Sequence, residues 1–197
     1  MTELMEREKY VNSGVHLGMR KKSKDMDQFI FKTRPDGLSI IDIEKIDQRI
    51  DVASSFLGRF DKVMFVGRKE GARPVLKKLE ESTNFDVQYG RFMPGTLTNP
   101  SLDKYTEPDV IVVVDPIIDE QAISEAIKKR IPVVAICDSF TNLDYVDLII
   151  PGNNKGEKSL GAIVYLLARE TLKKKGEIEK DEDFGYELSD FTGQRIE

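Results

Sequence analysis

Asp115 is the residue of this chain best placed for covalent chemistry. It ends the apolar run Asp109-Val110-Ile111-Val112-Val113-Val114, and Ser139 and Thr141 follow the next such run, Val133 to Cys137. A carboxylate at one strand end and hydroxyls at the next is the spacing of a phospho-receiver domain. That mechanism also needs acids after the first strand to hold Mg²⁺ and a lysine after the fifth. Here the first position reads Arg68-Lys69 and the fifth reads Ile149-Ile150-Pro151. Two of the three required groups are therefore missing or of opposite sign, and Asp115 and Asp138 read more simply as turn or cap residues before Pro116 and Ser139. Nucleotide chemistry fares no better. Gly67 and Gly71 lack the G-x-G-x-x-G spacing, and no G-x-x-x-x-G-K-[ST] occurs. The single histidine, His16, stands between glycines and apolar residues and reads as a packed, hydrogen-bonded group. The single cysteine, Cys137, cannot form an internal disulfide, which suits a reducing cytosol.

Binding chemistry is better represented. Arg91-Phe92-Met93-Pro94-Gly95-Thr96-Leu97-Thr98-Asn99-Pro100 offers a guanidinium, two hydroxyls and an amide held between two proline turns, with no acid or nucleophile beside them. That inventory suits sugar and phosphate oxygens. Arg20-Lys21-Lys22-Ser23-Lys24 holds four bases in five residues, the densest positive run of the chain. In the absence of RNA it is expected to be a solvated, flexible loop. Arg68, Lys69 and Arg73 join these candidates through their place on the loop after a strand.

Those groups need a scaffold, and the patterning supplies one. Thr2 is placed to cap a short first helix, and a Gly-bounded turn, Gly14 to Gly18, follows it. Phe29 to Arg34 and Leu38 to Ile41 predict a β-hairpin around Pro35-Asp36-Gly37. Asp42 or Glu44 opens a helix with Ile46, Ile50, Ala53, Leu57 and Phe60 on one stripe. From residue 62 strands and helices alternate: strands at 62–66, 86–89, 109–114, 132–137 and 146–150, helices at 71–82, 119–130 and 157–175. The second of these helices has Asp119 as its N-cap, with Ala122, Ile123, Ala126 and Ile127 inward. Alternation with short connections predicts an α/β fold: a doubly wound parallel sheet of about five strands between helix layers, preceded by the N-terminal helix and hairpin. Residues 1–175 form its single domain.

Composition agrees. Apolar residues make up 40% of the 197, charged residues 33%, and the net charge is −5. Residues 176–197 carry eight acids and two bases, leaving a body of 28 bases and 27 acids. A near-neutral body binds phosphate only where its bases cluster. The acidic tail, with Phe184, Tyr186 and Phe191 as its aromatic residues, is expected to be flexible alone and to dock when given a partner. No apolar run reaches membrane-spanning length, and Glu3, Glu6 and Glu8 argue against a secretory signal, so the chain reads as soluble and intracellular.

Several motifs resemble the second protein of the small ribosomal subunit, in its archaeal and eukaryotic, laminin-receptor-like branch. They are Gly14-Val15-His16-Leu17-Gly18, Phe31-Lys32-Thr33-Arg34-Pro35-Asp36-Gly37 with Ile40-Ile41-Asp42, the 91–100 segment, Asp109 to Pro116, Ala135-Ile136-Cys137-Asp138-Ser139, and Asp147 to Lys155. They run in the family's order through most of residues 14–160. No stretch here could form the long helical hairpin usual in bacterial members. The resemblance implies a flavodoxin-like, three-layer sheet and a structural constituent of the small subunit in the cytoplasm. Such a protein is no enzyme and has no cofactor, metal, membrane or small-molecule substrate. Its partners are small-subunit rRNA and neighbouring ribosomal proteins. Matched by position, it implies RNA-facing roles for Arg34, Arg91, Thr96, Thr98, Asn99, Asn153, Asn154 and Lys155. The chemistry of the chain adds Arg20, Lys21, Lys22, Lys24, Arg68, Lys69 and Arg73. The alternative on the same sheet is a free-standing phosphate- or nucleotide-sensing receiver-like domain, since a fold alone does not fix a function.

Overall fold

The computed structural model describes residues 4–193, so Thr2 lies outside the described residues. Helix α1 (Arg7–Ser13) stops at Gly14, whose φ of 70° is left-handed backbone that glycine adopts without strain. Strands β1 (Ile30–Thr33) and β2 (Ser39–Ile41) pair antiparallel as the expected hairpin. Helix α2 (Ile43–Leu57) begins where the Asp42 carboxylate accepts the Glu44 N–H at 3.1 Å, satisfying one of the orphan donors of the first turn.

Five strands then form one parallel sheet: β3 (Val63–Gly67), β4 (Asp86–Tyr89), β5 (Val110–Val113), β6 (Val133–Cys137) and β7 (Leu148–Pro151). Every residue of β3, β5 and β6 is buried, as continuous Val/Ile runs require when helices cover both faces. The order across the sheet is β4-β3-β5-β6-β7. The chain thus steps from β3 outward to β4, returns past β3 to β5, and continues to β6 and β7. Right-handed crossovers on these opposed steps put α3 (Arg73–Ser82) and α4 (Glu120–Lys129) on opposite faces. Helix α5 (Glu157–Lys175) follows β7 and packs against both α2 and α3. This is the flavodoxin-like order, with its switch point between β3 and β5. No helix among the described residues is long and apolar enough to cross a membrane.

Three local expectations are corrected. Asp119 precedes α4 but makes no side-chain cap; its carboxylate turns into the sheet edge instead. On α4 itself Ile127 is exposed, while Glu125 shares the buried face with Ala122, Ile123 and Ala126. The third correction is the acidic segment, expected to be flexible. The structure folds it onto α5 through a short helix α6 (Leu188–Thr192). Phe184 and Phe191 are buried, and each ring meets Tyr165 of α5 edge-on with centroids 5.6 Å apart. Asp181 pairs with Lys173, whose ammonium holds the Asp181 carboxyl below the usual range, and lies 3.6 Å from Arg169. Burial of two phenylalanines, which the polar composition conceals, offsets part of the entropy lost on ordering the segment.

Close approach of backbone makes the docking sensitive to one position. A Cβ on Gly161 would stand 2.5 Å from the Phe191 carbonyl oxygen. Gly161→Ala is expected to lift the segment from α5, speed proteolytic cleavage after residue 175, and cost about 2 kcal/mol of stability from lost apolar burial. An unchanged cleavage pattern would show that the contact tolerates a methyl group.

Candidate nucleic-acid interface

The carboxyl ends of the sheet bring together residues that lie far apart in sequence. Buried Asp115, just past β5, accepts from the Lys155 ammonium at 2.5 Å and from the Ile117 N–H at 3.2 Å. Lys69, just past β3, donates to the Asn154 carbonyl at 2.8 Å. Burial holds the Lys69 ammonium below its ordinary range, and repulsion from Lys155 adds to this, partly offset by Asp115 and Asp138. Asn154 is itself buried and its amide donates to Val114 O at 3.2 Å and Ile136 O at 3.0 Å, tying the ends of β5 and β6. Asp119 accepts the N–H groups of Arg68 at 2.8 Å and Asp115 at 3.3 Å; burial pushes its carboxyl up to about 6.

This edge is closed by its own ion pair and amide. A lysine does reach the acceptor position of a receiver-like site: Lys155 arrives from beyond β7, where the strand-end reading found only Ile149-Ile150-Pro151. The acids that would hold Mg²⁺ are still replaced by Arg68 and Lys69, and no group of three or more His, Cys, Asp or Glu among the described residues could hold a metal ion. Asp115 is a buried structural carboxylate, and the receiver-like alternative has no support.

The 91–100 loop is organised by a residue outside it. Glu125 accepts from Gly95 N at 2.7 Å, Leu97 N at 3.0 Å and Thr98 Oγ1 at 3.3 Å, and Gln121 braces it at 2.9 Å. Burial pushes the Glu125 carboxyl up, but these hydrogen bonds outweigh burial and leave it below its ordinary range. Thr96 is buried, its hydroxyl donating to Met93 O at 2.7 Å, and Asn99 accepts the Ser101 N–H at 3.1 Å. Among the loop's expected contact residues only Arg91 and Asn99 face solvent. Sequence reasoning missed Glu125; the available signal was an acid inside the apolar stripe Ala122, Ile123, Ala126.

The basic run is not a free loop. Ser23 donates its N–H to Ser139 O and its hydroxyl to Thr141 O, each at 2.8 Å, and Met19 N donates to Ser139 Oγ at 2.8 Å. Gly18 sits where a Cβ would come within 2.8 Å of Ser139 Oγ. These bonds seat residues 19–23 over the end of β6, leaving Arg20, Lys21, Lys22 and Lys24 exposed. Lys21 lies 6.0 Å over the Phe140 ring, and Lys22 pairs with Asp27 at 2.8 Å. Arg34, paired with Asp36 at 3.3 Å, is exposed on the hairpin turn, which the Arg20 side chain approaches at Gly37. Asn153 donates to Gly14 O at 3.2 Å and accepts the Lys155 N–H at 2.9 Å, joining the Gly-bounded turn to the loop after β7. His16 lies in that turn, and burial, then Arg34, hold its imidazole below the usual range against the bond it donates to the Tyr10 main chain.

The candidates therefore divide. Arg20, Lys21, Lys22, Lys24 and Arg34 gather over β6 and the hairpin. Arg68 and Arg91 flank a depression at the switch point, and Arg73 stacks on Tyr89 with its guanidinium 5.4 Å from the ring. Lys69, Thr96, Thr98, Asn153, Asn154 and Lys155 hold the loops.

Residues 10–105 and 101–173 match the family described as Ribosomal protein S2. A Thermoplasma acidophilum protein named small ribosomal subunit protein uS2 is 47% identical over 193 residues, 97% of each chain. Proteins of the same name from Thermoplasma volcanium and Nanoarchaeum equitans are 48% and 44% identical, covering 97% and 92% of both chains respectively.

Proposed function

The chain belongs to the ribosomal protein S2 family, and from that premise we propose how it serves as a structural, non-enzymatic constituent of the small ribosomal subunit. It holds rRNA and protein neighbours together by shape and phosphate contacts, without reading base sequence. The observation that carries this reading is the closed strand edge: where related sheets keep reactive groups, Asp115 is paired with Lys155, and Arg68 and Arg91 are exposed beside it.

Arg20, Lys21, Lys22, Lys24 and Arg34 are the rRNA-phosphate contacts. The bonds of Ser23 fix the run before RNA arrives, so less ordering entropy opposes binding than a flexible loop would lose. Asn153, Asn154, Lys69 and Lys155, with Thr96, Thr98 and Asn99, act one step back by fixing the loops that carry the contacts. The protein resides on cytoplasmic ribosomes.

Sedimentation of a cell extract tests the reading. The protein is expected to migrate with the small subunit at low salt and to leave it at high salt, as a phosphate-dominated contact requires. A wholly free pool at low salt would contradict it.

A further inference from the structure

A second surface differs in chemistry from the lysine-rich run. Ile117 and Ile118, in the turn between β5 and α4, are 50% and 36% exposed, and Met93 of the 91–100 loop is 44% exposed. The turn is fixed, since Asp115 holds the N–H groups of Ile117, Ile118 and Asp119 through its side chain and carbonyl. Beside it lies a depression of about 610 Å³ with Ser124 and Glu120 on its wall. Next to it a smaller depression of about 200 Å³ shares Arg68, Ile118 and Gln121 and is also lined by Arg91. Neither guanidinium makes a side-chain hydrogen bond or ion pair among the described residues. Asp119 lies beneath, with its oxygens taken by main-chain N–H groups.

We propose that this depression receives an extended segment of a neighbouring small-subunit protein, carrying aliphatic side chains for Ile117 and Ile118 and carboxylates for Arg68 and Arg91. The proposal rests on the ribosomal reading above and names a partner surface within it. Three observations favour protein over RNA here. Arg and exposed aliphatic residues line the depression, and no lysine does; cores of protein interfaces are enriched in Arg and depleted in Lys. An RNA backbone offers nothing to cover two adjacent isoleucines, and unpaired bases stack on aromatic rings, of which the lining has only the buried Phe92. Arg68 lines both depressions and Arg91 the smaller one, a separation that suits carboxylates spaced along a strand-like segment.

Cys137 is fully buried and its thiol is pushed up by burial, so an introduced surface cysteine labels selectively. Full-length Ile118→Cys, and separately Lys21→Cys, is labelled with a benzophenone maleimide, returned to small subunits washed free of the protein, and irradiated. The Ile118 position is expected to yield a protein adduct that maps to a segment bearing at least two carboxylates. Adding Arg68→Glu and Arg91→Glu lowers that yield about tenfold or more. The Lys21 position is expected to yield rRNA. An rRNA adduct from Ile118, or none while Lys21 labels rRNA, overturns the proposal and leaves the ribosomal reading intact. Failure of both positions removes both.

Discussion

Replacing Arg20, Lys21, Lys22 and Lys24 together with alanine is expected to leave a folded protein whose hold on the small subunit has lost much of its salt dependence. All four side chains are exposed. The one ion pair removed, Lys22 to Asp27, is half-exposed and worth at most about 1 kcal/mol. The main-chain and hydroxyl bonds of Ser23 do not depend on these side chains, so the run keeps its seat over β6. Each phosphate contact releases about one counterion, and four contacts steepen binding by roughly a hundredfold between about 50 and 200 mM salt. The variant should therefore bind more weakly at low salt and converge on the natural protein at high salt. Parallel lines on a plot of log affinity against log salt would mean that the run makes no phosphate contact. Ser23→Ala provides the complementary case: it keeps every charge but loosens the seat, so it should weaken binding with the slope unchanged.

Much of the scaffold for this surface can be read from short stretches of sequence. The spacing of Ile46, Ile50, Ala53 and Leu57 marks the buried stripe of α2, and the Val and Ile run of β5 marks a central strand. Residues 157–175, expected as one helix, are α5. Periodicity reports that a face is buried, not what buries it. The stripe Leu160, Ile163, Val164 and Leu167 accounts for one side of α5, yet every residue from Ser159 to Leu172 is buried. Tyr165, Leu166, Ala168 and Leu172 were the sign of a second cover, which Phe184 and Phe191 help to provide. The pairing of Lys155 with Asp115 was hidden for another reason. It joins residues 40 apart through the parallel order of the sheet, and reading one residue past each strand stops short of it. The seat of Ser23 on Thr141, across 118 residues, has the same origin.

Glu125→Ala is expected to produce a large loss of stability from one polar side chain. The carboxylate is buried and accepts from two main-chain N–H groups, Gly95 and Leu97, and from Thr98 and Gln121. Alanine removes every acceptor at once and leaves the two N–H groups without their partner, with Leu97 fully buried. At about 1–3 kcal/mol for each stranded donor, the loss is about 3–4 kcal/mol, or about 10 °C in Tm for a domain of this size. Glu125→Gln keeps one oxygen of the same reach and should cost roughly half. The pH dependence follows from the same bonds. Because the folded carboxyl lies below its ordinary value of 4.5, its contribution is present above that pH and is lost as pH falls through the folded value. The natural protein should thus lose more stability on acidification below 4.5 than Glu125→Gln does. Amide exchange locates the damage. Gly95 and Leu97 should exchange much faster in Glu125→Ala while the β5 and β6 amides keep their protection relative to global stability. Uniformly faster exchange would instead place Glu125 among residues that support the whole sheet. Loosening confined to the loop also displaces Arg91 and Met93, so this one buried acid sets the shape of the outer surface. An Ile118 cross-link in the Glu125→Ala background should weaken accordingly, with the Lys21 cross-link unaffected.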